Sequence, residues 1–200
     1  MKMSKIGPRW KVQFRHKREG KTDYRRRLKF LRSGKLRLVT RISLKHIIAQ
    51  LVRATPSGDL TIASAHSKEL EKLGWKGYTA NTPAAYLVGL LCGYRALKAG
   101  TKECVLDIGM HNPTSQVKVF TVLKGALDAG LQIPHGEGIL PSDERIRGEH
   151  IAQYAAMLKE KNEKAYSTQF SAYLQRGLPP ERLPEHFNEI KQAIVTRFGE

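Results

Sequence analysis

Apolar and polar side chains alternate through residues 36–43. Leu36, Leu38, Thr40 and Ile42 fall on one side of an extended chain, and Arg37, Val39, Arg41 and Ser43 on the other. That period predicts a strand with one buried face. Residues 47–53 are rich in β-branched and aliphatic side chains, Pro56-Ser57-Gly58-Asp59 supplies a turn, and residues 60–64 read as a third strand. Short links between sequential strands predict an antiparallel meander covered on one face. Ser67 is placed to cap a short helical turn that runs through Leu73 and stops at Gly74.

The period then becomes helical. Thr82-Pro83 joins a hydroxyl cap to a proline at the first helical position, where no amide bond is lost. Ala84, Leu87, Val88, Leu91 and Arg95 share a face, Leu90, Tyr94 and Leu97 widen it, and the helix is expected to run to Ala99 before Gly100. Residues 103–108 read as a short buried strand. Residues 115–129 are mixed: Val117, Val119, Phe120, Val122 and Leu123 favour a strand locally, whereas Val119, Leu123, Ala126 and Leu127 repeat at helical spacing. Length, the Ala-rich second half and Gly130 tip the reading to helix. A loop rich in Gly and Pro, residues 133–141, leads to a helical region. There Ser142 can cap a helix carrying Ile151, Tyr154, Ala155 and Leu158. A second, from Glu163 to Gly177, carries Tyr166, Phe170, Tyr173 and Leu174, and a last one from about Pro184 presents Phe187, Ile190, Ile194 and Phe198. Such stripes must be buried against something. The predicted fold is mixed α/β (α+β). An arm over residues 1–35 precedes a core over residues 36–140, in which three antiparallel strands and a further strand are packed by helices. A helical extension fills residues 141–200.

Charge matters most at the front. Of the first 45 residues 17 are Lys or Arg and only Glu19 and Asp23 oppose them, so this segment holds +15 of the chain's +17. Like charges oppose compaction, and a polyanion, first of all a nucleic acid, is the partner that neutralises them. The arm's apolar residues come as islands: Trp10, Val12 and Phe14; Tyr24; Leu28, Phe30 and Leu31. They either stack on bases or pin the arm to the protein's own core, the second being preferred for Trp10. The arm is expected to order on its partner. No run of about 18 apolar residues suggests a membrane span, and residues 1–5 lack the apolar run of a secretory signal. Cys92 and Cys104, without a CxxC pair, fit a reducing compartment and argue against a zinc ribbon.

No catalytic pattern stands out. Gly7, Gly20 and Gly34 form neither a phosphate-cradling loop nor a dinucleotide fingerprint, and the seven histidines lack HExxH spacing. Asp107, at a strand end, would need further carboxylates nearby to hold a nuclease metal, and residues 36–53 contain none. A loop cap or salt-bridge partner is the preferred role, with residues 107–113 a strand-to-helix turn and Ser115 capping the next helix. No cofactor or metal is expected. Arginines, by contrast, clamp phosphates with paired donors or stack on bases. Charge alone does not separate RNA from DNA. Zinc-finger, zipper and helix-turn-helix patterns are missing, and a broken pattern of islands suits irregular RNA grooves better than a uniform DNA-reading helix.

Five segments in order carry a family resemblance: residues 13–24 with the Arg run after them, 45–50 (KHIIAQ), 81–89 (NTPAAYLVG), 123–135 (LKGALDAGLQIPH) and 165–173 (AYSTQFSAY). Together they resemble the universal large-subunit ribosomal protein family called L-eighteen, whose eukaryotic counterpart has been called L-five. The resemblance implies a ribosomal L-eighteen-like core, binding to 5S rRNA, and a place in the central protuberance, where relatives join 5S to 23S rRNA and neighbouring large-subunit proteins. It implies an RNA-facing set made of Arg9, Lys11, Arg15, His16, Lys17, Arg18, Lys21, Thr22, Tyr24, Arg25, Arg26, Arg27, Lys29 and Arg32 in the arm. Arg37 and Arg41 would alternate outward from the first strand, and Lys45 and His46 would form the turn before the second. Residues 165–173 resemble the carboxyl region of archaeal and eukaryotic members. The short 102–107 segment and the neutral end depart from the eukaryotic ones, which implies an archaeal, cytoplasmic, ribosome-bound protein. Two other readings remain: a standalone architectural nucleic-acid binder, and a metal-dependent nuclease using Asp107.

Overall fold

The computed structural model describes Gly7 and residues 11–199. Two short helices, α1 (Arg15–Arg18) and α2 (Tyr24–Arg32), precede the strands β1 (Arg37–Ile42), β2 (Ile47–Thr55) and β3 (Gly58–His66). After α3 (Ser67–Lys72) comes the long α4 (Thr82–Lys98), then β4 (Val105–Asp107) and α5 (Lys118–Asp128). The remaining helices are α6 (Asp143–Arg147), α7 (Glu149–Lys161), α8 (Glu163–Gln169), α9 (Ser171–Gln175) and α10 (Leu183–Phe198). Among the described residues no helix is long and apolar enough to cross a membrane.

The sheet has the order β3-β2-β1-β4. The first three strands form the antiparallel meander that their alternation predicts, with Leu38 opposite Leu51 and Leu51 opposite Ala63. β4 joins the other side of β1 in parallel, a pairing that needs a crossover between strands. α4 makes that crossover. Every residue from Ala84 to Gly93 is buried, because the helix lies between the sheet on one side and α5 and α10 on the others. This is why its apolar stripe reads so wide in sequence.

α4 and α5 touch backbone to backbone. The carbonyl of Val122 occupies the space that a Cβ at Gly89 would need, and the carbonyl of Tyr86 does the same at Gly125. The mixed segment before Gly130 is thus helical, and its glycine lets the two axes close. Leu183, Phe187, Ile190 and Ile194 of α10 join the same core as Leu38, Leu51 and Leu87. A smaller cluster of Ala155, Tyr166 and Phe170 ties α7 to α8.

Several predicted caps move by one residue. Asn81, not Thr82, caps α4: its Oδ1 accepts the Ala84 N–H at 2.9 Å, leaving Thr82 and Pro83 inside the first turn. His66, not Ser67, caps α3 through Nδ1, and the freed Ser67 hydroxyl accepts the Ile47 N–H at 3.1 Å. Ser115 does not cap α5, where Val117 holds the cap position without a side-chain bond. The helix expected after Ser142 is broken at Gly148, whose left-handed φ of 84° separates α6 from α7. The helix expected from Glu163 likewise divides at Phe170 into α8 and α9.

The Gly125 contact makes a sharp test. In an open helix Gly→Ala gains about 1 kcal/mol of propensity, but overpacking a core costs about 1–3 kcal/mol. Gly125→Ala is therefore expected to lower the denaturant midpoint of the full chain, whereas Gly136→Ala, with nothing within 4 Å of its added Cβ, leaves it unchanged.

Candidate nucleic-acid interface

α2 starts because Asp23 caps it. The Asp23 Oδ1 accepts the N–H groups of Arg25 at 2.9 Å and Arg26 at 3.2 Å, and these bonds, Arg26 foremost, hold its carboxyl below the usual range. No residue of α1 or α2 is fully buried. Yet the arm is seated on the protein. The sheet face turned away from α4 carries Arg37, Val39, Arg41, Gln50, Val52 and Thr61. Lys21, Arg26 and Arg27 close over it, leaving a cavity of about 170 Å³. Phe30, half-buried on the same side of α2, lines an apolar hollow together with Leu106, Ile108, Phe120 and Leu123.

A row of alternating charges fastens the two. Arg27 Nη2 donates to Asp59 Oδ1 at 3.0 Å; Arg37 Nη2 donates to Asp59 Oδ2 at 2.9 Å; Arg37 Nη1 donates to Asp107 Oδ2 at 2.9 Å. Arg37 does project opposite to Leu38, but it is only 3% exposed. The picture of Arg37 reaching outward to phosphate is corrected here: two carboxylates absorb its charge beneath the arm. Asp107 spends its second oxygen on the Gly109 N–H at 2.9 Å. It is the loop cap and ion-pair partner, with neither oxygen left over. Arg41 is exposed and lies across Gly109, whose φ of 60° and missing Cβ leave room for the guanidinium.

The other arm cations face away. On a helix, Arg25, Lys29 and Arg32 share the side not turned to the sheet, and all three are exposed. Among the described residues neither they nor Lys11, Lys17 and Arg18 have a carboxylate within 4.0 Å. Arg15 and Lys21 are instead paired with Glu19 at 2.6 and 2.7 Å; Lys21, then Arg15, hold that carboxyl below its usual range. His16 is exposed, and Thr22 and Tyr24 are half-buried. Arg9, like Trp10, lies outside the described residues.

Lys45 and His46 form a separate group at the far end of β1. Ser43 and His46 close the turn backbone to backbone at 2.8 Å, and the Thr79 hydroxyl donates to the Lys45 carbonyl at 2.6 Å. The His46 ring lies 5.0 Å from that of His66. Burial, with His46 adding to it, pushes the His66 imidazole below its ordinary value. The site therefore has two parts on one strand. Sequence reading missed Asp59, visible only as a turn residue, and Phe30, whose role depends on the α2 register.

Comparison with known families gives the class first: ribosomal large-subunit proteins. The matching family, described as Ribosomal large subunit proteins 60S L5, and 50S L18, covers residues 8–102 and 98–136. The chain belongs to that family. Among the described residues no three His, Cys, Asp or Glu are grouped to hold a metal.

Two tests follow from this geometry. Removing one member of a buried pair leaves an uncompensated charge and costs about 3–5 kcal/mol, whereas replacing both with apolar residues is often near neutral. Asp107→Ala leaves Arg37 still paired with Asp59, so it is expected to lose less than that in denaturant unfolding, about 1–3 kcal/mol. Arg37→Met with Asp107→Leu is expected to recover much of it, Asp59 keeping Arg27 as its partner. The second concerns pH. His66 Nδ1 accepts the Lys68 N–H at 3.0 Å only when unprotonated. With the folded pKa lowered, the unfolded chain takes up the proton first. The contribution is complete above about pH 6.5 and lost as pH falls from there through the folded value. His66→Asn, which caps without titrating, should flatten that decline in unfolding midpoints.

Proposed function

We propose that this chain is a structural constituent of the large ribosomal subunit that binds 5S rRNA and anchors it in the central protuberance. In this reading it also touches 23S rRNA and neighbouring large-subunit proteins, in the cytoplasm of an archaeal cell. The observation that carries the reading is the free ridge of Arg25, Lys29 and Arg32 on an arm seated against a nearly neutral core, in a chain of this family. Phosphates bound there release counterions, which gives affinity, while the seating of α2 fixes where the charges stand, which gives fit. Arg41 adds to that surface beside the arm, and Lys45 and His46 offer a second group at the far end of β1. The protein orders RNA and bridges separate RNA elements; it does not react with them.

The arginines of the run divide into two kinds. Arg25 is free for phosphate, whereas Arg26 and Arg27 reach Gly109 and Asp59 and hold α2 down. Each lost phosphate contact reduces the slope of log affinity against log salt by about 0.7–0.9. Arg25→Ala, Lys29→Ala and Arg32→Ala together are expected to weaken 5S rRNA binding and flatten that slope by roughly two to three, with the unfolding midpoint unmoved. The measurement is competition between 5S rRNA, size-matched structured RNAs and duplex DNA across a salt series. Equal capture of unrelated duplexes would support a standalone architectural binder instead.

A further inference from the structure

The segment leading into α1 leaves an aromatic ring in water. Phe14 is 70% exposed and Val12, two residues earlier, is 63% exposed. Burial is the ordinary fate of such a ring, so its exposure calls for a cause. Phe14 is nonetheless fixed in place. Its carbonyl accepts the N–H groups of Lys17 at 3.0 Å and Arg18 at 3.1 Å, and its ring centroid lies 5.2 Å from that of Tyr24 at an interplanar angle of 42°. From Tyr24 the apolar surface continues along α2 through Leu28, 49% exposed, and Leu31, 38% exposed, at helical spacing. This ridge is not the side that meets the sheet, which is formed by Arg26, Arg27 and Phe30.

Whatever covers the ridge must accept its rim. Arg25, Lys29 and Arg32 flank it along α2, Lys17 and Arg18 follow Phe14 in α1, and the acids of the arm are engaged, Glu19 with Arg15 and Lys21 and Asp23 with the α2 amides. A flat apolar face that carries negative charge at its edge matches this surface; an unpaired base on its phosphate backbone is such a group. Aromatic rings bordered by cations are the general means of holding splayed bases.

We propose that Phe14, backed by Tyr24, is a stacking platform for an unpaired nucleobase of the bound RNA, with the flanking cations holding the phosphates on either side. This rests on the RNA-binding reading above and adds to it a base contact where charge alone provides only phosphate contacts.

The test uses the full chain and transcribed 5S rRNA. Phe14→Ala and Phe14→Leu are expected to lose affinity by roughly five- to a hundredfold, and Phe14→Trp to keep it. The salt slope stays as in the unmutated chain, because no phosphate contact is removed. Leu preserves an apolar contact with Tyr24, so a loss in Leu as well as Ala separates stacking from support of the arm. Chemical probing should show one base protected by the unmutated chain and exposed in the Ala complex. Full affinity in the Leu variant, or an Ala variant that binds normally while the unmutated chain still prefers 5S rRNA, would overturn the platform alone and leave the ridge to a protein neighbour. No preference for 5S rRNA by the unmutated chain would overturn the functional reading and the platform together.

Discussion

The constraint on which the rest depends is the placing of Arg37 between Asp59 and Asp107. A guanidinium this deeply buried is tolerated only if carboxylates replace its water, and here two, from two different strands, take Nη1 and Nη2 at 2.9 Å, while Nε is left without a partner among the described residues. Asp59 then has one oxygen left, and Arg27 takes it. One row of charges thereby joins the sheet to a helix that has no buried residue of its own. Without this row α2 would keep, among the described residues, Phe30 at the edge of its hollow and a long bond from Arg26 to Gly109, while the repulsion among its cations would favour detachment.

The other side of the sheet has the opposite character. It is packed by α4, which is itself enclosed by α5 and α10, and the closest approach is backbone on backbone at Gly89 and Gly125. The two faces divide the work. A dry face supplies the stability that a 200-residue chain draws from one core, and a charged face presents the arm. The last helix serves the dry face, where Leu183, Phe187, Ile190 and Ile194 complete the enclosure of α4. Beside it, α7 and α8 build a minor cluster of their own.

Much of this was legible in the residues. The alternation over residues 36–43 identified β1 and the side that meets the core, but not that Arg37 and Val39 on its other side are buried as well, and the helical period placed α4 to within a residue of its start. What failed was local chemistry with several equivalent candidates. Asn81 and Thr82, or His66 and Ser67, are all competent caps, and the choice falls to whichever backbone is extended at that point, as it is at Asn81 and His66. Gly148 was likewise ambiguous, since a glycine inside a periodic stretch either costs propensity or ends the helix. Arg37 shows a deeper limit. Its side of the strand follows from the period, but its burial follows from how the preceding helix folds back over the sheet and from acids 22 and 70 residues away. No local pattern encodes that.

The same limit governs how a basic segment should be counted. The net charge of the first 45 residues treats all cations alike, whereas the fold sorts them. Arg15 and Lys21 answer Glu19, Arg27 and Arg37 answer Asp59 and Asp107, and Lys35 lies 3.5 Å from Glu103. Those charges organise the arm, while Arg25, Lys29 and Arg32 remain available. A count of Lys and Arg therefore overstates the number of counterions that binding can release, because a cation already paired with a carboxylate has shed much of its own field. What such a cation contributes is geometry: it fixes where the free ones stand. Selectivity among polyanions that present the same phosphate charge has to come from that spacing and from contacts with bases.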